Sequence, residues 1–303
     1  MNLRGRTLTT LMALALVALI AVSGVGAQAK KQITFASRDF VETAIIAEIV
    51  KRLVEEKTDI EVRHLPNIEF RVTVAAMQTG DIDAYSSYSG SQFTTVLGQE
   101  VTEEWRDPKK VLEYCKVEMD RRFNMKLFDP LGFDNTYAIA VRRDFAEKHN
   151  LEKVSDLVPL APNLTIATDA DFLHREEVMS FTNFTRTYGL KFKKAVAMTY
   201  GLMYRAAYVG DVDVIMAYSS DGRIAAMDLK LLEDDLQFFP PYDAILIVRN
   251  ETLAKYPELE PVLNLLTGRI DQEAIQRMNA RADVEGHDLK VIAEDFLKEQ
   301  GLI

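Results

Sequence analysis

Two tyrosines occupy the same place in a pattern that occurs twice in the chain. Tyr88 lies eight residues after Gly80 in "GDIDAYSSYSGS", and Tyr218 lies eight residues after Gly210 in "GDVDVIMAYSSDG". The shared Gly-Asp-apolar-Asp opening predicts a turn that leads into a short strand, with the tyrosine close to the end of that strand. The repeated offset indicates two similar units that each bring one tyrosine to a shared site.

Two further tyrosines have comparable places. Tyr137 borders the apolar run "TYAIAV", and Tyr242 follows "FFPP", where two prolines stiffen the chain. One such tyrosine is typically a half-buried core residue with a satisfied hydroxyl, whereas four at predicted strand ends and turns favour a joint function. Aromatic faces attract a quaternary ammonium group, which has no N–H to donate, by roughly 0.5–2 kcal/mol per ring. Three or four rings would supply about half of the ~8 kcal/mol that micromolar binding requires.

A basic residue follows the apolar turn "DFLHR". This residue, Arg175, is suited to pair with a carboxylate at the other end of such a ligand, because a guanidinium group binds a carboxylate through two hydrogen bonds. A surface ion pair explains the same residue equally well.

The chain shows none of the common catalytic motifs. It has no glycine-rich phosphate loop, no GxSxG elbow and no HExxH sequence. The four histidines lack the spacing of metal ligands, and the acidic run 233–235 is typical of a solvated turn. The single cysteine, Cys115, lies in an amphipathic helix pattern and is predicted to be a buried thiol. We therefore expect a binding protein without a cofactor or a metal site, and not an enzyme.

Strand and helix patterns alternate along the chain, which predicts an α/β fold with mostly parallel, doubly wound sheets. After the strand "QITFAS", Asp39 is predicted to begin a helix in which Glu42 is the acidic partner of a capping box. Three helical segments are predicted between about Glu251 and Leu302.

The alternation also divides the chain into two lobes. We expect lobe I to comprise residues 30–130 and 237–303 and lobe II residues 131–236, so that the chain crosses between the lobes twice. In open α/β sheets, ligands bind beyond the carboxyl ends of the strands. Because the tyrosines lie at such ends in both lobes, they are predicted to face each other across a cleft.

The N-terminal segment has a different composition. Arg4 and Arg6 precede the apolar run "LMALALVALIAV", and small residues follow up to Ala29, which predicts a secretory signal peptide over residues 1–29. Because no cysteine follows the small residues, we expect a soluble periplasmic protein without a lipid anchor. The formal net charge of −10 argues against binding to nucleic acid or to an anionic membrane surface, and we expect a monomer.

The chain resembles the glycine betaine/choline-binding proteins of ABC-type osmoprotectant importers in six segments that occur in the same order: "FASRDFVETAIIAEIV", "GDIDAYSSYSGS", "PLGFDNTYAIAVR", "VDVIMAYSSDG", "LLEDDLQFFPPYDA" and "ADVEGHD". The similarity covers the chain from about Ile33 to Leu302. It implies a bilobed periplasmic-binding-protein fold of type II, with two doubly wound lobes joined by two crossover strands. It also implies a membrane ABC permease as the partner.

The resemblance further implies a tyrosine cage for a trimethylammonium group, beside a basic and hydroxyl site for a carboxylate. Transferred position by position, the ligand-binding residues correspond to Tyr88, Ser91, Asn135, Tyr137, Tyr218, Tyr242, Arg175 and Arg38. Lobe I is expected to supply Tyr88 and Tyr242, and lobe II the other two tyrosines and the arginine of "DFLHR". A ligand that contacts both lobes would then favour the closed cleft.

Three features depart from the pattern of this family. Ser91 replaces the usual threonine, Arg38 stands where lysine is common, and "NIEFRVT" replaces a Leu-Gly-Gly-Thr-like turn at the edge of the expected pocket. The choice among glycine betaine, choline, carnitine, proline betaine and ergothioneine therefore stays open. The alternatives are a binding protein of the same fold for an amino acid or another ligand without a quaternary nitrogen, an enzyme built on this fold, and the ligand-sensing domain of a receptor.

Overall fold

The computed structural model describes residues 30–38, 40–174 and 179–303. The predicted signal peptide, Asp39 and Arg175 lie outside the described residues. Residues Gln32–Ile303 form one unit that contains two five-stranded mixed sheets.

The strands and helices alternate as the sequence pattern predicts. The strands are β1 (Gln32–Ala36), β2 (Glu61–Leu65), β3 (Ala84–Tyr88), β4 (Met125–Leu127), β5 (Tyr137–Arg142), β6 (Thr165–Thr168), β7 (Lys194–Ala197), β8 (Val214–Tyr218), β9 (Leu229–Leu232) and β10 (Ala244–Arg249). The longer helices are α1 (Val41–Lys57), α2 (Phe70–Thr79), α3 (Pro108–Phe123), α4 (Arg143–His149), α5 (Ala170–His174), α6 (Phe181–Tyr188), α7 (Tyr200–Val209), α8 (Gly222–Ala226), α9 (Asn250–Lys255), α10 (Leu259–Asn264), α11 (Gln272–Asp283) and α12 (Leu289–Glu299). A helical turn, Ser89–Ser91, continues as a π-helix, Gln92–Val96, and short 3-10 turns cover Glu103–Trp105, Val154–Leu157 and Ala161–Asn163.

The two sheets have the same topology. Their strand orders are β2-β1-β3-β10-β4 and β7-β6-β8-β5-β9. In each sheet the first three strands of the order are parallel, and the fourth, β10 or β5, is antiparallel to both of its neighbours. Strands β5 and β10 follow the two chain crossings, so the architecture is the predicted bilobed α/β fold with two crossover strands. The residue limits of the two lobes stay a prediction.

The repeated Gly-Asp-apolar-Asp pattern has a structural cause in each lobe. Gly80 and Gly210 end helices α2 and α7 in the left-handed conformation, with φ of 89° and 84°, which a residue with a side chain adopts only at a cost. The second aspartate then accepts a hydrogen bond from a backbone N–H of the neighbouring strand: Thr34 donates to Asp83 and Thr165 to Asp213, each over 2.8 Å. The pattern therefore marks the same helix-to-strand turn in both sheets.

Two predictions about helices are wrong. The N-terminal residue that caps α1 is Phe40, without a side-chain cap, and Glu42 turns away from the helix end to bind other side chains. The C-terminal part contains four helices, α9 to α12, where three were predicted. Pro257 separates α9 from α10, because the residue before a proline disfavours the helical conformation.

Ile45, Ile49 and Leu53 follow one another at helical spacing on one face of α1, and all three are buried in the core. Cys115 is buried as predicted, and burial raises the pKa of its thiol to about 12, so it is a structural side chain and a weak nucleophile. Among the described residues, no helix is long and apolar enough to cross a membrane. The same residues contain no cluster of His, Cys, Asp and Glu suited to a metal ion.

Candidate functional site

Tyr137 and Tyr218 lie side by side at the ends of two paired strands of the second sheet. Tyr137 is the first residue of β5, and its register partner is Tyr218, the last residue of β8. The two rings stack, with centroids 5.2 Å apart and planes 14° apart. Phe172 and Phe239 pack against Tyr137 with centroid distances of 5.4 and 6.1 Å, which holds its ring in one orientation.

Tyr242 reaches the same place from the second chain crossing. Its ring passes so close to Gly90 that a Cβ at that position would lie 2.7 Å from it and 2.6 Å from the carbonyl oxygen of Pro241. The glycine of "SYSGS" is therefore required for this approach. Burial raises the pKa of Tyr242, while a hydrogen bond with the Thr94 side chain acts in the opposite direction.

The second chain crossing is fixed by one carboxylate. Asp234 accepts hydrogen bonds from the backbone N–H groups of Phe238 and Phe239, over 2.9 and 2.8 Å, and from the hydroxyl of Tyr188. Asp234 belongs to the acidic run 233–235, for which the sequence predicts a solvated turn. Its role is to position the aromatic residues that precede the two prolines.

The three tyrosines Tyr137, Tyr218 and Tyr242 line one cavity of about 770 Å³, together with Asn135 and Met179. This volume lies in the range of small-molecule sites. Aromatic rings on several sides of a cavity suit a quaternary ammonium group, because each ring face offers negative electrostatic potential without requiring an N–H donor. The structure thus brings together three of the four tyrosines that the sequence selected.

Tyr88 occupies a different place from the other three. It is only 4% exposed, and it is not among the residues that line the cavity of Tyr137. Its hydroxyl donates a hydrogen bond to the Glu42 carboxylate, and its ring stacks on Phe40 with centroids 6.3 Å apart. Burial, followed by the charge of Glu42, raises the pKa of Tyr88 well above its usual value. Direct contact between Tyr88 and a ligand stays a prediction.

Glu42 adjoins the site through its hydrogen bond with Asn135, and the sequence did not reveal this because its position resembled a capping box. Its carboxylate is 2% exposed and accepts hydrogen bonds from Tyr88, from Asn135 over 3.2 Å and from Asn279 over 2.9 Å. Burial raises its pKa, and the bonds from Ser220 and from these donors oppose that effect. The carboxylate thereby connects α1 with both chain regions that carry the stacked tyrosines.

The remaining predicted residues have mixed positions. Asn135 lines the cavity, and its side-chain amide donates to the Tyr88 hydroxyl over 3.4 Å. Its backbone N–H donates to the backbone carbonyl oxygen of Tyr242 over 3.1 Å. Ser91 and Arg38 do not line the cavity. The Arg38 guanidinium lies over the rings of Phe40 and Phe70, 5.1 and 5.2 Å from their centroids. Ligand contacts from Ser91, Arg38 and Arg175, which lies outside the described residues, stay predictions.

The two chain crossings meet at a pair of carboxyl groups. Asp134 and Asp243 are opposite each other in an isolated antiparallel bridge. Partial burial raises the pKa of both, and the charge of Asp134 raises that of Asp243 further. Two carboxylates directly opposite each other are destabilising when both are ionised.

We expect Asp243→Asn to stabilise the fold at pH 7 by about 1 kcal/mol, because it removes one charge of this pair. The pKa values of Asp134 and Asp243 are both raised in the folded state, so the folded protein binds protons more tightly than the unfolded chain. The resulting stabilisation is complete below the unfolded pKa of about 3.9, and it is lost as pH rises through the folded pKa values. The advantage of the variant should therefore shrink when pH falls towards 4. Urea unfolding at several pH values measures it. Asp211→Asn, at an exposed position, is the control, and an advantage that does not depend on pH would contradict the pairing.

The paired sheets, the two crossover strands and the cavity at the strand ends define the fold of the type II periplasmic binding proteins. The chain belongs to the family described as the substrate binding domain of ABC-type glycine betaine transport systems, whose model matches residues 31–299. The match therefore includes both sheets and all described residues of the cavity.

Individual binding proteins for glycine betaine and carnitine are similar to this chain over most of its length. The chain is 36% identical over 278 residues to the carnitine transport binding protein of Listeria monocytogenes, covering 91% of this chain and 89% of that protein. It is 28% identical to a glycine betaine-binding protein of Escherichia coli, covering 97% and 98%. A crystal structure of a glycine betaine/carnitine/choline ABC transporter protein superposes with a TM-score of 0.84 at 35% identity, over 89% of this chain and 99% of that one.

Proposed function

We propose that this protein is a periplasmic solute-binding protein that captures a quaternary ammonium compound and delivers it to the membrane permease of an ABC importer. The observation that carries the proposal is the cavity lined by the stacked pair Tyr137 and Tyr218 and by Tyr242. Three rings in a partly desolvated site supply roughly 1.5–6 kcal/mol towards binding of a trimethylammonium group. The relatives named for glycine betaine and carnitine support the same ligand class.

Cleft closure is the proposed mechanism of capture. Tyr137 and Tyr218 belong to strands of the second sheet, whereas Tyr242 precedes β10 of the first sheet and packs against Gly90. A ligand that contacts all three rings bridges both lobes, and its full set of contacts forms only when the lobes are close together. Binding therefore shifts the population towards the closed form, which the permease would recognise.

The first test is calorimetric titration of the chain from Lys30 onwards, unfolded and refolded to remove carried-over ligand. We expect saturable one-to-one binding of at least one of glycine betaine, choline, carnitine and ergothioneine, with a dissociation constant in the micromolar range, or about −8 kcal/mol. Absence of heat with all four would contradict the proposal.

The same sample separates the proposal from its alternatives. Competition by amino acids without a quaternary nitrogen, where betaines do not compete, would instead favour an amino-acid-binding protein of the same fold. Mass spectrometry of the ligand after incubation tests for an enzyme, and we expect the ligand to be recovered unchanged.

A further inference from the structure

One wall of the cavity that Tyr137, Tyr218 and Tyr242 line comes from the chain segment that starts with the π-helix. Thr94, Glu100 and Val101 line the cavity from this segment. Among the described residues of the lining, Glu100 is the only one with a charged side chain, and the others are aromatic, apolar or uncharged polar residues. A cavity that offers three aromatic rings to a cation therefore also has an acidic residue in its wall.

The fold of the segment holds Glu100 in this place. Directly before it, the backbone N–H of Gln99 donates to the carbonyl oxygen of Phe93 over 3.0 Å. After it, the ring of Trp105 packs on the buried ring of Phe93, with centroids 4.9 Å apart. Both contacts join the segment to the π-helix, a type of turn that is frequent at functional sites. The position of Glu100 at the cavity is therefore built into the local structure.

The negative charge of Glu100 is not neutralised within the described part of the chain. Its side chain is exposed, and no basic side chain among the described residues pairs with it. Glu104, four residues later, instead forms an ion pair with Lys110 over 2.5 Å. The charge of Glu100 is thus available to a ligand that enters the cavity.

A carboxylate at the cavity acts differently on ligands of different net charge. Charges interact over about the Debye length, which is roughly 8 Å at physiological salt, so the carboxylate attracts a ligand of net charge +1 without direct contact. A zwitterion gains little, because the repulsion of its own carboxylate offsets the attraction of its ammonium group. The aromatic faces bind the trimethylammonium group of either ligand in the same way. The charge of Glu100 therefore distinguishes two kinds of ligand that the rings do not.

We infer that Glu100 is a specificity-determining residue that favours quaternary ammonium ligands of net positive charge over zwitterionic ones. This inference rests on the proposed function, because it needs the tyrosine rings to hold the ammonium group. Cleft closure strengthens the effect. The segment of Glu100 packs on the core of the first sheet through Phe93, whereas Tyr137 and Tyr218 belong to the second sheet. Approach of the two sheets removes water between the carboxylate and the cation, and their attraction increases.

The test compares choline, which has a net charge of +1, with the zwitterion glycine betaine on the wild-type chain and on Glu100→Gln. Calorimetric titration should give about fivefold weaker binding of choline by the variant, the size expected for a partly exposed charge pair. The affinity for glycine betaine should stay within about twofold of wild type, so the ratio of the two affinities shifts towards the zwitterion. Because the result is a change in this ratio, a basic residue elsewhere in the site, such as Arg175, does not alter the expectation.

A matched variant and a change of salt serve as controls. Glu104→Gln removes the same charge four residues away, at a position outside the described lining, and should leave the ratio unchanged. Raising the ionic strength from about 0.02 M to about 0.5 M screens the attraction. It should weaken choline binding by the wild-type chain and reduce the difference between the wild-type chain and Glu100→Gln.

The possible failures are distinguishable. If Glu100→Gln leaves the affinity ratio unchanged, or if Glu104→Gln shifts it equally, the role of Glu100 is overturned and the proposed function stands. Absence of choline binding by a wild-type chain that binds glycine betaine has the same meaning. If the wild-type chain binds neither compound, the role of Glu100 is also overturned. Absence of binding by carnitine and ergothioneine as well would overturn the proposed function itself.

Discussion

Tyr137→Ala is expected to weaken binding of glycine betaine roughly thirtyfold, or about 2 kcal/mol, without unfolding the protein. The substitution removes one ring face from the cage, worth roughly 0.5–2 kcal/mol. It also removes the stacking partner of Tyr218, whose ring lies 5.2 Å away, so a second face loses its fixed orientation. Calorimetric titration of refolded protein measures the effect, and circular dichroism confirms that the variant is folded.

Two controls separate the ring from other causes. Tyr137→Phe keeps the ring and its stacking, so it should bind within a few-fold of wild type. Tyr208→Ala makes the same substitution in the same lobe, at a side chain that is 59% exposed on α7, and should not change affinity. If folded Tyr137→Ala binds glycine betaine as tightly as Tyr208→Ala does, the tyrosines of this cavity do not form the cage.

The parts of the site that were predictable from the sequence depend on local patterns. Gly80 and Gly210 adopt the left-handed conformation, which costs glycine less than any other residue. The sequence pattern therefore predicts both turns correctly. Tyr137 and Tyr218 were found because strand ends are visible in apolar periodicity. Their pairing in register is a contact between distant parts of the chain, on the antiparallel strands β5 and β8, and a local pattern does not specify it.

The missed residues depend on contacts between distant parts of the chain. Glu42 and Asn279 are 237 residues apart, and neither has a local pattern that signals the other. Glu42 lies at the start of a helix, where an acidic residue is ordinarily explained by capping or by the helix dipole. The local pattern also does not reveal the surroundings of Tyr88. Its offset from Gly80 equals that of Tyr218 from Gly210, whereas its hydroxyl donates a hydrogen bond to Glu42.

Gly222→Ala is expected to destabilise the protein by about 3 kcal/mol and to lower its melting temperature by roughly 6–10 °C. A Cβ at Gly222 would lie 2.3 Å from the backbone nitrogen of Ala280 and 2.6 Å from the carbonyl carbon of Asn279. Both atoms belong to the backbone of α11, so no side-chain rotation can relieve the overlap, and α8 or α11 must move. That movement would also strain the hydrogen bond from Asn279 to Ser220, which joins α11 to the loop after β8.

Gly201→Ala is the matched control for this experiment. Gly201 lies in α7, where the nearest neighbour of an added Cβ would be the flexible end of Arg223 at 3.7 Å, an ordinary contact. Alanine is favoured over glycine inside a helix by roughly 0.5–1 kcal/mol, so this variant should be as stable as wild type or slightly more stable. Thermal unfolding of both variants, with and without ligand, decides the matter. Equal melting temperatures would contradict the close packing of α8 on the backbone of α11.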